Sequence, residues 1–452
     1  MSDPTSPDDP AAPDDPAAPD DPAAPGAEAA PDDPAAPGAE AAPDIEALAD
    51  ADFERVTRRH RWPFAIVGLL VVAALVASMV LVRDASSGDD PTTGGRSAPP
   101  RAEPATEAEI EDAVAEISEF VEAERGLEFR EPVTVELEDD DAFQDRLLAD
   151  FDDDADDLRH TEVFLQGLGM VEPDVDLVEA MRSLLGAGVV GFYDPTTSEL
   201  VVRGAALTPY VRSTIAHELV HAIDDQHHDL DRPEYDDADD EVSFGFSAVA
   251  EGNARRIENA YMGSLTADER QQAADEELAL AGDMDVGSIP LVLIDLIGAP
   301  YSLGERFVEQ VVADGGAAAL DGAFDDPPRT TEQVLEPARY LADEPPVEVP
   351  RPEVDGEVVD EGLIGQLMVL LVLAEGLGID EAREAASGWG GDWGVAWRDG
   401  DRSCVTANLV GDDVVETEEM RRAFDEWAGS RDGARVVPSG GGGPFTLESC
   451  VG

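Results

Sequence analysis

His217 and His221 stand four residues apart with Glu218 beside the first, in the run Thr214-Ile-Ala-His-Glu-Leu-Val-His-Ala-Ile223. On an α-helix, residues i and i+4 lie on one face about a turn apart, so both imidazoles can reach one metal ion from the same side. Glu218 is rotated about 100° from His217 at 3.6 residues per turn, which puts it beside the ion and not on it. A general base works from such a place, taking a proton from water at the metal. The spacing therefore predicts a zinc site for hydrolysis, which needs three protein ligands and one open position. Four of the six histidines in the chain fall between His217 and His228. The uncharged Ile215, Ala216, Leu219, Val220, Ala222 and Ile223 would pack the helix into a core.

Two residues compete for the third ligand. His227 lies six residues beyond His221, but the longer motif of that spacing needs glycine three residues after the second histidine, where the chain turns back. Asp224 stands there, and it adopts the left-handed conformation less readily. Glu251, thirty residues beyond His221 on an expected second helix, completes a His, His, Glu set. Glu251 is the preferred ligand and His227 the alternative. Asp224 or Asp225 could then orient a ligand imidazole. Hydrolysis also calls for a group that stabilises the developing oxyanion; Tyr261 and Tyr340 are the candidates, each with a structural role as its other reading.

Several elements must position these groups. Thr208-Pro209 reads as an N-cap followed by proline at the first helical position, which starts the histidine helix there. Just before it, Gly188 to Arg203 reads as a hairpin turning at Asp194-Pro-Thr-Thr, able to offer an edge to an extended peptide. Apolar spacing predicts helices over Thr106 to Glu124, Asp157 to Leu168 and Val175 to Leu185, and a strand over Pro132 to Leu137. Leu291 to Ile297 and Leu363 to Ala374 read as core helices, with a new helix beginning at Pro300. Toward the C-terminus, Trp393 to Trp397 and Cys404 to Leu409 read as strands, followed by a helix capped by Thr417 and a last strand near Phe445. The expected fold class is α+β: a mainly helical, zincin-like metallopeptidase domain with a small hairpin or sheet edge, plus one transmembrane helix.

The composition bounds partners and compartment. The chain of 452 residues carries 102 acidic residues against 29 basic ones, all arginine, for a formal charge of -73. Such a field excludes nucleic acid as a partner. It fits a disordered acidic tail together with a solvated acidic surface suited to high salt. Residues 1–61 form that Pro- and Ala-rich tail. From Pro63 to Val82 run twenty residues without a charge, enough to span a bilayer at about 1.5 Å per residue. Arg55, Arg58, Arg59 and Arg61 crowd the N-terminal flank of this anchor, so the tail is expected in the cytoplasm and the rest outside the cell. A stalk over 84–104, a metallopeptidase domain over 105–387 and a C-terminal α+β lobe over 388–452 follow. Cys404 and Cys450, the two cysteines, lie in that lobe and are expected to pair.

The histidine run with Glu251 downstream resembles the gluzincin metallopeptidases. His217-Glu-Leu-Val-His-Ala-Ile-Asp-Asp-Gln-His227, Ala250-Glu-Gly-Asn-Ala254, Pro327-Pro-Arg-Thr-Thr-Glu-Gln-Val-Leu-Glu-Pro337 and Gly388-Trp-Gly-Gly-Asp392 are similar to a family of bacterial, membrane-anchored predicted metallopeptidases. The likeness runs over most of residues 105–430. It implies peptide-bond hydrolysis of a peptide or protein substrate, with Glu218 as base and zinc on His217, His221 and Glu251. Two departures stand out. The gluzincin pattern places Asp four residues after the ligand glutamate, where this chain has Arg255, and a family histidine after Glu-Gln-Val-Leu is Glu336 here. They favour a rival expectation, a catalytically inactive metal-binding scaffold serving as an envelope interaction module. Substrate preference and oligomeric state have no readable signal.

Overall fold

A computed structural model describes residues 103–149, 151, 155–236, 240–283, 289–438 and 443–452. The expected tail, the expected anchor over 63–82 and nearly all of the stalk lie outside these residues. Among the described residues no helix is long and apolar enough to cross a membrane.

The chain runs through helix α1 (Glu107–Arg125), strand β1 (Val135–Glu138), and helices α2 (Asp140–Leu147), α3 (Ala155–Gly167) and α4 (Leu177–Gly188). Strands β2 (Gly191–Asp194) and β3 (Glu199–Arg203) lead into α5 (Pro209–His228). Next come α6 (Pro233–Asp236), α7 (Asp240–Ser264), α8 (Ala267–Asp283), α9 (Leu291–Gly315), α10 (Ala317–Asp325), α11 (Thr331–Leu335) and α12 (Pro337–Leu341). The C-terminal part holds β4 (Glu357–Gly362), α13 (Gly365–Leu377), α14 (Ile379–Ala386), β5 (Trp389–Asp399), β6 (Arg402–Gly411), α15 (Val414–Gly429), β7 (Ala434–Val437) and β8 (Phe445–Val451). The architecture is α+β, mainly helical with two small sheets.

Local chemistry sets the ends of the key helices. The Thr106 hydroxyl accepts from the Glu109 amide while the Glu109 carboxylate accepts from the Thr106 amide at 2.8 Å, a reciprocal cap that starts α1. Thr208 Oγ1 accepts from the Val211 amide at 3.2 Å and Pro209 fills the first position, so α5 begins where the sequence placed it. From Tyr210 to Asp224 every α5 residue except Arg212 is buried. A helix covered on all sides is a central one.

Strand order in the first sheet is β1-β3-β2, with β1 parallel and β2 antiparallel to β3. The expected hairpin is β2 and β3, turned by Asp194, whose carboxylate accepts from the Thr196 and Thr197 amides at 2.9 and 3.3 Å. The second sheet, β4-β5-β6-β8-β7, is antiparallel throughout and draws its edge strand β4 from residues before 388. Cys404 of β6 lies opposite Cys450 of β8, and the expected disulfide joins them. One apolar core runs beneath α4, α7, α9, α13 and the second sheet; a second surrounds α5, α1 and the first sheet.

Two boundaries differ from expectation. Pro300 does not begin a helix but sits inside the 25-residue α9, whose residues Val292 to Tyr301 are buried apart from Asp295. Proline removes one ladder bond, and burial of that face outweighs the loss. Helix α15 starts at Val414, capped by Asp413, whose carboxylate accepts from the Val415 and Glu416 amides. Thr417 instead lies inside the helix, where its Oγ1 accepts from the Gly411 amide at 2.9 Å.

Candidate metal centre

The site is assembled by α5 and α7, which pack along each other, with α9 crossing α7. Gly252 and Gly304 set that crossing: a Cβ on Gly252 would lie 2.2 Å from the Gly304 carbonyl carbon. Only glycine permits so close an approach. Because Gly252 follows Glu251 and Gly304 lies three residues after Tyr301, the crossing brings Tyr301 beside Glu251.

His217 Nε2 and His221 Nε2 converge on one carboxylate oxygen, Glu251 Oε2, at 3.2 and 3.3 Å. The three ligand atoms lie within 4.8 Å of one another, and the cluster could hold a metal ion. All three residues are buried, as are Glu218 and Tyr301. Neither ring nitrogen of His221 has a hydrogen-bond partner of good geometry. Two imidazoles and one carboxylate, with buried nitrogens otherwise unpaired, suit a divalent cation that takes nitrogen and oxygen donors. Burial opposes a charge on His217, yet the Glu251 and Glu258 carboxylates outweigh it and push the imidazole up to about 9. Burial likewise works against ionised Glu251, but His221 and His217 hold it down to about 2.

Glu218 has the opposite surroundings. Both of its carboxylate oxygens are buried without a hydrogen bond of good geometry, and the Tyr193 backbone is the polar group that approaches them. Burial, helped by the Glu251 charge, pushes its pKa well above the usual carboxylate range in spite of His217. Strand β2 lies directly over it: a Cβ on Gly191 would meet Thr214 Cγ2 at 2.6 Å and Glu218 Cγ at 3.5 Å. The Arg203 amide donates to the Val190 carbonyl at 2.7 Å. Antiparallel alternation then turns the backbone groups of Phe192 to β3 and those of Gly191 and Tyr193 to the other edge, beside Glu218.

Two functional neighbours have no counterpart among the sequence candidates. Glu258 Oε2 lies 3.1 Å from His217 Nδ1 and accepts from Arg255 Nη1 at 2.8 Å. Arg255, four residues after Glu251, steadies that carboxylate. Burial opposes its charge, but Arg255 and His217 hold it down to about 2. A signal for it was present, since seven residues after Glu251 is about two turns along the same face of α7. Tyr301 of α9 packs its ring 6.1 Å from that of His217, and its hydroxyl reaches Glu251. Burial and the Glu251 and Glu218 charges raise its pKa, which keeps the proton on the phenol. Nothing in the local sequence around Tyr301 marks it.

The tyrosine candidates are corrected accordingly. Tyr261 accepts from Arg212 Nε at 2.9 Å and packs edge-on against Phe120. Ten residues from Glu251 is about 80° off the ligand face, so it turns toward α1. Tyr340 donates to the Asp326 carbonyl at 2.9 Å and packs against Phe307, which is structural work. The alternative ligand His227 is corrected too: α5 continues unbroken through Asp224 to His228, and His227 Nε2 lies 2.9 Å from the Glu128 carbonyl. Asp224 pairs with Arg125 and Asn253, each at 2.6 Å, and Asp225 accepts from the Tyr193 hydroxyl at 2.7 Å. Neither orients a ligand imidazole. Glu336 bonds Arg339 and Gln366 at 3.1 and 3.0 Å.

Compared with protein-family models, with curated proteins and with solved structures, the chain matches none.

Proposed function

We propose that the protein is a zinc-dependent metallopeptidase of gluzincin type, anchored in the membrane by residues 63–82 with its catalytic part outside the cell. The observation that carries this reading is Glu218, a fully buried carboxyl with no hydrogen bond of good geometry to either oxygen, beside a three-donor cluster that could hold a metal. Leaving a buried carboxyl so poorly satisfied costs about 1–3 kcal/mol even in its neutral form. A purely structural metal has no use for it, whereas a proton acceptor at a reaction centre does.

Zinc on His217, His221 and Glu251 would supply a Lewis acid that makes water acidic near neutral pH. Glu218 takes the proton from the attacking water and delivers it to the leaving amine; its raised proton affinity suits both steps. The Tyr301 hydroxyl, kept protonated, donates to the carbonyl oxygen as negative charge develops there. Glu258 fixes the tautomer and direction of His217 by accepting its Nδ1 proton. The outward backbone groups of Gly191 and Tyr193 offer main-chain hydrogen bonds to an extended peptide.

The burial of the whole cluster favours a second reading, a sealed structural metal in an envelope scaffold. The two part on Glu218→Gln. The peptidase reading expects zinc content unchanged and cleavage of a peptide library reduced by about 10²-fold or more. Full activity in that variant would sink the mechanism; bound zinc with no cleavage by the unaltered protein would favour the scaffold.

A further inference from the structure

Helix α8 joins α7 through the two-residue turn Leu265–Thr266 and then lies against α5 and α4. It carries its own start signal: the Glu269 carboxylate accepts from the Thr266 amide and hydroxyl at 2.9 and 2.7 Å, and Thr266 Oγ1 accepts from the Glu269 amide. The cap fixes where the helix begins. Most of its side chains are exposed or half-buried, Leu278 at 58 % among them, and Ala273 is its one fully buried residue. Ala273 packs in a small cluster with Val190 at the entry to β2, Tyr210 of α5 and Tyr301 of α9, with Met262 and Leu280 at the margin. These residues border the metal cluster on the strand side and on the Tyr301 side. The helix thus bridges the space between β2 and Tyr301, where a peptide lying along β2 would have to pass.

Two further observations mark this arrangement as closed. Tyr210 is buried beneath α8 with a hydroxyl that has no hydrogen-bond partner, and Glu218 is in the same condition. Glu277 of α8 lies in the field of Arg255 and of the Glu258 carboxylate, to which Arg255 already donates at 2.8 Å. A helix with Ala273 as the one fully buried side chain among its described residues, set in a small apolar cluster, is at the weakly fixed end of the molecule.

We propose that α8 is a lid seated in the substrate groove, and that it swings on the Leu265–Thr266 turn to admit peptide and free the Tyr210 hydroxyl for it. The proposal rests on the metallopeptidase reading for the identity of the substrate but not for the motion. Hydrogen exchange on the unaltered full chain tests the motion directly: amides of α8 should exchange together about 10²-fold faster than those of α5 and α7. In the zinc-loaded chain, Ala273→Arg should unseat the helix and speed zinc loss to a chromogenic chelator about tenfold, while Leu278→Arg on the exposed face should leave it unchanged. Exchange in α8 as slow as in α7 would overturn the lid whether or not the variant folds. A folded Ala273→Arg protein with unchanged zinc loss would overturn it as well. Fast exchange in α8 with no peptide cleaved under any condition would leave the lid standing and defeat the peptidase reading instead.

Discussion

Glu218 and Glu258 are both buried carboxylates beside His217, and their surroundings drive them apart. Glu258 is paired with Arg255 and His217 and held down to about 2, so it serves as a fixed anion. Glu218 has no hydrogen bond of good geometry and burial raises its pKa, so in the proposed mechanism it is the group that gains and loses protons. The pair predicts different losses. Glu258→Gln should weaken zinc binding by about 10-fold to 100-fold, read by competition with a chelator, because His217 loses the acceptor that fixes its tautomer. Tyr301→Phe removes a donor without emptying the space; kcat on a cleavable peptide should fall about 10²-fold while KM stays within a few-fold. A change confined to KM would make Tyr301 a binding group.

At the scale of elements, the first turn of α7 is the joint between the metal centre and the C-terminal part. Glu241 Oε2 accepts from the Thr331 amide and hydroxyl at 2.6 and 3.0 Å, tying α7 to α11. Thr331 Oγ1 in turn accepts from the Leu367 amide, and Asp392 accepts from the Ile364 and Gly365 amides and Trp389 Nε1. The Thr331 and Asp392 motifs thus meet around one buried pair of carboxyls. Burial, with Asp392 nearby, pushes Glu241 up to about 8, and burial pushes Asp392 up to about 6. A carboxyl raised in the folded state keeps a proton that the unfolded chain has released. Its stabilising contribution is full below the unfolded value of 4.5 and is lost as pH rises through about 8. Urea unfolding at pH 5 and pH 8.5 should show this fall in the unaltered protein, and Glu241→Gln should remove roughly 3 kcal/mol of it. An equal fall in both proteins would place the titration elsewhere.

At the scale of the whole molecule, the disulfide ties the strand neighbours β6 and β8 across a sequence separation of 46 residues. In the loop-entropy account, closing such a loop stabilises by about 4 kcal/mol. The Cys404→Ala, Cys450→Ala double variant should lose about that much unfolding free energy and still bind zinc, since the metal helices belong to other elements; loss of zinc together with the disulfide would show that the two parts fold as one. What the sequence by itself determined are the features whose physics is local. The HExxH spacing put two imidazoles on one helix face, Thr106 and Thr208 capped their helices, Asp194 turned the hairpin, and the cysteine pair closed. Glu251 over His227 was legible as well, because Asp224 gives the helix no reason to turn back. Tertiary structure alone decided which tyrosine faces the site, since Tyr301 reaches Glu251 only through the Gly252–Gly304 crossing between helices fifty residues apart in sequence. It also settled which carboxylate holds His217 and how deeply the cluster is buried, because these depend on which helix faces meet, and spacing along one helix does not specify its partner.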